Sequence, residues 1–225
     1  MPTLPGPRNP TRWVGLDAEE RRVERRALLL DAAFELLGSE GWSATTVRGV
    51  CQHARLNPRY FYESFDDLDA LVVAVYDRLI AELGVAVMAA VAAAGHDPGE
   101  QTRAALRSII EFIDADRRRG RVLYVEALGN EALNRRRIET AHLLVATVEQ
   151  HAEATQRALP PGEPIGRIGA ALLVGGAGEL IVAWLEGRID VSRDQLIDDA
   201  TELLLAMGEA AARLAAHRTT SNQRL

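Results

Sequence analysis

The sequence predicts an all-α fold of about nine helices, three in an N-terminal head and the rest in a larger helical domain. Three observations carry that prediction. Apolar residues recur at three- and four-residue spacing along most of the chain, the period of a helix face. Helix-start signals recur as well: Asp17 with Glu20, Asn57-Pro58, Asp97-Pro98 with Glu100, and Ser192 with Gln195. No stretch alternates convincingly as a strand, and no repeat of fixed period is visible.

Residues 1–16 read as a flexible tail, with four prolines in the first ten positions and no apolar run of the kind a signal peptide needs. Arg8 and Arg12 are placed to act as a minor-groove arm, although a solvated tail is the simpler reading. The first helix opens at the Asp17/Glu20 capping box, and Val23, Ala27, Leu30, Phe34 and Leu37 form its stripe. The second helix carries Val47, Val50, Cys51 and Ala54 on one face, with Thr45 or Thr46 as its cap. The third starts sharply: Asn57 suits the cap and Pro58 the first helical position, where a missing N–H is harmless. Phe61 and Phe65 anchor it, leaving Arg59, Tyr60, Tyr62 and Glu63 around the rest of its circumference. A short rigid helix carrying donors is what reading a DNA major groove requires. The head is therefore set at 17–65.

The fourth helix runs from Asp66 or Asp67 to about Ala94 and is long enough to act as a lever. The fifth carries Leu106, Ile109, Ile110 and Ile113, and a short sixth holds Val122, Leu123, Val125 and Leu128. The seventh spans about Glu131 to Ala158, with Ile138, Ala141, Val145 and Val148 inward. After the Pro-rich loop 159–164 comes an eighth, about Ile165 to Glu186, containing Gly169, Gly175, Gly176 and Gly178. Glycine costs roughly 1 kcal/mol in a helix interior, so this many imply close packing against another backbone. The ninth runs to about Ala216, and its stripe of Leu196, Ala200, Leu203, Met207 and Leu214 needs cover. The larger domain is set at 66–216 and a C-terminal tail at 217–225.

The stretch TTVRGVCQHARLNPRYFYESFDDLDAL, preceded by a helix ending ELLGSEGW, resembles the DNA-binding domain of the tetracycline-repressor (TetR) family of bacterial transcription regulators. The Thr pair, Ala54 before the turn, the Asn57 cap and the Phe61-Tyr62…Phe65 run carry the resemblance. Two positions depart from the family pattern. Arg55 stands where a turn glycine is common, and Leu68 where a phosphate-binding lysine often begins the next helix. The resemblance implies a cytoplasmic homodimer, joined through its eighth and ninth helices, that binds a pseudo-palindromic double-stranded operator. It further implies a small-molecule effector enclosed by helices four to eight. Arg48, Arg59 and Tyr60 are then the candidates for base or groove contact, and Thr46 and Tyr62 for phosphate. Phe112, Tyr124, His142, Glu179 and Trp184 are the candidate effector contacts, each an ordinary core or dimer-interface residue in the simpler reading. An all-α lipophilic carrier or enzyme with a silent head is the alternative from another class.

The bulk numbers fit. Net charge is −6, but residues 1–65 balance at +1 and residues 66–225 at −7, which directs DNA to the head. All 26 basic residues are Arg, a feature that codon usage explains. Cys51 is the only cysteine, so no internal disulfide can form. The run Ile168 to Leu185 is just long enough to span a membrane, but Glu179 and its Gly/Ala content favour a buried helix of a soluble protein. No phosphate loop, nucleophile elbow or zinc motif appears, and no two of the five His lie at i, i+4, so no catalytic residue, metal or cofactor is expected. The Arg runs 117–119 and 135–137 read as solvated helix ends.

Overall fold

A computed structural model describes residues 17–155 and 164–222, with side chains for 17–152 and 164–217. The expected N-terminal tail, including Arg8 and Arg12, lies outside the described residues. Among the described residues the chain is all-helical, in nine helices: α1 (Ala18–Ser39), α2 (Val47–Ala54), α3 (Pro58–Tyr62), α4 (Leu68–Ala93), α5 (Pro98–Ala115), α6 (Arg117–Gly120), α7 (Glu131–Thr155), α8 (Pro164–Leu185) and α9 (Arg193–Asn222). The sixth continues as a π turn, Arg121–Val125, and a 3₁₀ turn, Glu126–Leu128. The chain divides into two compact units, Met1–Arg78 and Leu79–Leu225. The first turns of α4 thus belong with the head, beyond the boundary at 65 set from sequence.

In the first unit, α1 starts as its capping box dictates. Asp17 Oδ1 accepts from the Glu20 N–H at 2.8 Å, and Glu20 Oε2 accepts from the Asp17 N–H at 2.7 Å. The expected stripe fails in the first three turns, where Val23 is 60% exposed and Ala27 is also exposed. Burial begins at Leu29 and Leu30 and continues through Ala32, Ala33 and Leu37. In those first turns another side of α1 meets α3, with Arg25 lying 4.6 Å over the Tyr60 ring. The core that the three helices share holds Val50, Cys51, Phe61 and Phe65, and Arg26 lies 4.8 Å over the Phe65 ring.

In the second unit α8 packs on α7 and α9, and α5 on α9. Ile110, Trp184, Leu196 and Ile197 form one core cluster, backed by Leu180, Leu185 and Val191. Arg103 of α5 is paired with Asp198 and Glu202 of α9. Gly120 marks the closest approach, since a methyl there would sit 2.5 Å from Leu185 Cδ1 and 2.8 Å from Ile113 Cγ2. The end of α8 is a Schellman motif: Gly187 takes φ 71°, its N–H reaches Trp184 O, and the Arg188 N–H reaches Ala183 O.

Several inward faces differ from expectation. Leu128, at the end of the 3₁₀ turn that follows Val125, is 67% exposed. On α7, Ile138 is 43% exposed. The buried side instead runs through Leu133 and Thr140, with half-buried Arg137 between them. Among the described residues the glycines of α8 do not meet another backbone: nothing lies within 4 Å of where a Cβ would stand on Gly169, Gly175 or Gly176, and Gly178 faces the Tyr124 ring. Of the apolar stretch in Pro164–Leu185 only 22% is buried, so it is not the interior helix expected, although by length and composition alone it could cross a membrane. Leu203 and Leu214 of α9 are 71% and 50% exposed, and α9 itself runs past the expected end at Ala216 to Asn222.

Candidate nucleic-acid interface

The turn between α2 and α3 fixes how the third helix is presented. Thr46 caps α2, its Oγ1 accepting from the Gly49 N–H at 3.1 Å. The hydroxyl proton of Thr46 stays available for an acceptor outside the helix. Thr45 is unavailable, being buried with its hydroxyl donating to Gly41 O at 2.8 Å. Arg55 closes α2 at φ 55°, ψ 40°, the one non-glycine residue with positive φ among those described. Asn57 Oδ1 then accepts from the Arg59 N–H at 2.9 Å, and α3 begins at Pro58.

Beyond that turn, the sequence candidates take distinct positions. Arg48 is exposed and, like Arg55, has no ion-pair partner among the described residues. Arg59 is 82% exposed along its side chain, its Nε donating to Glu63 Oε1 at 2.9 Å. An exposed i, i+4 pair is worth about 0.3–0.5 kcal/mol, whereas a bidentate base contact discriminates by about 1–3 kcal/mol. Glu63 therefore orients Arg59 without holding it back from a stronger acceptor. Tyr62 is 63% exposed, with its ring edge-on to Phe61 at 5.2 Å. Tyr60 is half-buried, with Arg25 of α1 lying 4.6 Å over its ring. The same Arg25 reaches Glu63 at 3.7 Å, so one α1 side chain braces both the aromatic and the acid of α3. Nothing local announced that role for Arg25, because its partners lie on another helix.

The five effector candidates of the second unit do not gather at one point. Trp184 belongs to the core cluster, its Nε1 donating to Val191 O at 3.3 Å and Arg117 lying 5.1 Å over its ring. Phe112 is half-buried beneath Arg119, which also donates to the Phe112 carbonyl at 3.0 Å. The Arg run 117–119 is thus engaged with rings and caps, not merely solvated. Tyr124 is half-buried in the π turn against Gly178. His142 and Glu179 are exposed, the latter 3.6 Å from Arg188. A separate groove of about 120 Å³ lies between α5, α7, α8 and α9, lined by Thr102, His151, Gly166, Gly169, Leu173 and Met207 among others. None of the five candidates lines it. No group of His, Cys, Asp and Glu among the described residues is arranged to hold a metal ion.

Comparison with known proteins agrees with this geometry. Residues 29–75 match the family of bacterial regulatory proteins, tetR family. No curated protein sequence matches the chain significantly. Among solved structures, the fatty acid degradation regulator FadR from Bacillus halodurans superposes with a TM-score of 0.66 at 15% identity, covering 80% of this chain and 94% of that one. A transcriptional regulator from Rhodococcus sp. Rha1 gives 0.63 at 19%, covering 81% and 94%. The multidrug binding protein EbrR, complexed with imidazole, gives 0.61 at 22%, covering 81% and 94%. At these identities the likeness concerns the fold, and the family match is confined to the head: residues 29–75, which include the helix-turn-helix, match the TetR family of bacterial regulatory proteins.

Proposed function

We propose that the protein is a cytoplasmic, homodimeric repressor that binds a pseudo-palindromic operator and releases it when a small, mainly apolar effector binds the second unit. The observation that carries the DNA reading is the exposed set Arg48, Arg59 and Tyr62 on α2 and α3, on helices braced from behind by α1. Arg48 and Arg59 reach base edges, with Tyr60 at the groove wall, and Thr46 and Tyr62 take phosphates. The dimer reading is supported by the uncovered apolar residues of α8 and α9, Ile168, Leu172, Leu203 and Leu214. The effector reading draws support from the half-buried Phe112 and Tyr124, from the open groove, and from the names FadR and EbrR among the structural neighbours. In this reading His142, Glu179 and Trp184 act from the effector region or from the dimer interface.

The test is selection from a random duplex pool in low salt. A sequence with two half-sites about 34–36 Å apart, or a multiple of that, is expected. Arg59→Ala should weaken binding by about 1–3 kcal/mol and relax one position per half-site, while Tyr62→Phe should weaken all duplexes alike. Enrichment of no sequence would remove the regulator reading and favour a carrier with a silent head.

A further inference from the structure

Three consecutive arginines on α7 have different fates. Arg135 Nη2 lies 2.8 Å from Glu131 Oε1, and Arg136 Nη1 lies 3.2 Å from Glu139 Oε2. Arg137, on the buried side between Leu133 and Thr140, has no carboxylate within ion-pair distance among the described residues. Its one hydrogen bond runs from Nη2 to Asn134 Oδ1 at 3.2 Å, and its Nε–H is buried without an acceptor. An arginine cannot shed its charge as a lysine can, and an uncompensated charge taken out of water is destabilising. A buried polar group left unpaired in a folded protein calls for an explanation, and a missing anion is one that fits a guanidinium fork.

We infer that Arg137 is a binding residue for the carboxylate of the effector, so that the molecule read by the second unit is an apolar acid and not a neutral apolar compound. This inference rests on the effector reading above and narrows it. The carboxylate would take the free Nε–H and, beside it, the second hydrogen of Nη2, whose other hydrogen goes to Asn134 Oδ1. The apolar part of the ligand needs no charged partner, which agrees with the apolar Leu133 and Ala141 one turn to either side on the same helix. The competing account is a snorkelling side chain, whose stem is buried and whose head finds water.

The experiment follows thermal stability and direct binding of the purified full-length protein with acetate, benzoate, octanoate and 1-octanol. Octanoate is expected to raise the melting temperature and to bind at least tenfold more tightly than 1-octanol. Arg137→Met should abolish that preference, Arg137→Lys should keep part of it, and Arg136→Met should leave it intact. The free Arg137→Met protein should melt no lower than the unmodified one, since it has lost a charge without a counter-ion. A lower melting temperature for that variant would mean that the protein itself supplies the anion, and would overturn the inference. So would equal binding of octanoate and 1-octanol, or the absence of binding by every carboxylate in the series. A DNA titration separates the two layers of argument. Octanoate held through Arg137 with unchanged operator affinity would leave the site standing and remove the effector reading.

Discussion

Arg55 carries the sharpest local conflict in the head. A left-handed backbone costs an L-residue roughly 1–2 kcal/mol, and Arg55 adopts it at φ 55°. Glycine would relieve that strain but would add roughly 0.5–1 kcal/mol of chain entropy to be lost on folding. Arg55→Gly is therefore expected to stabilise the head by up to about 1 kcal/mol, measurable as a higher urea midpoint with unchanged slope. Keeping Arg at a strained position makes sense if its exposed cation has a use. If that use is a phosphate, the same variant should bind DNA more weakly and with a salt slope reduced by about one. A variant that is less stable and binds DNA unchanged would show both arguments to be wrong. The departure from glycine was legible in the sequence; the caps that flank the turn, Thr46 on α2 and Asn57 on α3, are formed with Arg55 in place.

At the scale of elements, helix starts were legible and helix faces only in part: Leu71, Val75 and Leu79 of α4 and Leu106, Ile110 and Ile113 of α5 are buried as read, whereas Val23 of α1 and Ile138 of α7 are not. Asp17, Asn57 and Asp97 cap as read because a cap is decided within three residues. On α7 only Ile138 was misplaced, Ala141, Val145 and Val148 being half-buried; Ile138 and Arg137 are neighbours, and the packing of α7 on α8 decides which of them turns inside. The π turn, Arg121–Val125, was invisible for a similar reason: it gives Tyr124 a place against Gly178, a partner far along the chain. The candidate site divides in the same way, with the exposed residues of α2 and α3 readable from local pattern and the effector region dependent on which side chains converge. The short α6 offers a test of a cap that sequence reading passed over. Asp116 accepts from the Arg118 N–H at 3.1 Å and from the Arg118 guanidinium at 2.8 and 2.9 Å, and this hydrogen bonding holds its carboxyl below the ordinary aspartate value. A carboxyl depressed in the folded state contributes stability above its unfolded pKa, about 3.9, and that contribution fades as pH falls through the lower folded value. Asp116→Asn keeps a capping oxygen but not the charge. It is expected to be less stable than the unmodified protein at pH 7, with the gap closing below about pH 4. A gap independent of pH would assign the loss to cap geometry alone.

For the molecule as a whole, the open question is what covers α8 and α9. Ile168 and Leu172 on α8 and Leu203 and Leu214 on α9 expose at least half of their surfaces in a single chain. Large uncovered apolar faces mark interaction sites, and a two-fold pair is the commonest closed way to cover one. Gly176 gives this idea a discriminating probe. Among the described residues nothing lies within 4 Å of where its Cβ would stand, and Gly176 is exposed, so the first atom of a larger side chain meets no obstacle there. Replacing a helical glycine by leucine also improves helix propensity by roughly 0.8 kcal/mol. Gly176→Leu should therefore leave the isolated fold intact or slightly firmer. If the glycine face of α8 lies against a second copy, the added side chain must instead push that copy away. The expected result is native helical content with dissociation to monomer at concentrations where the unmodified protein is dimeric, read by light scattering across a dilution series. Operator binding should fall with the dimer, because two heads on one duplex gain from being linked and single heads do not. Unchanged mass at every concentration would place the dimer contact elsewhere, and a monomeric unmodified protein at micromolar concentration would remove it altogether.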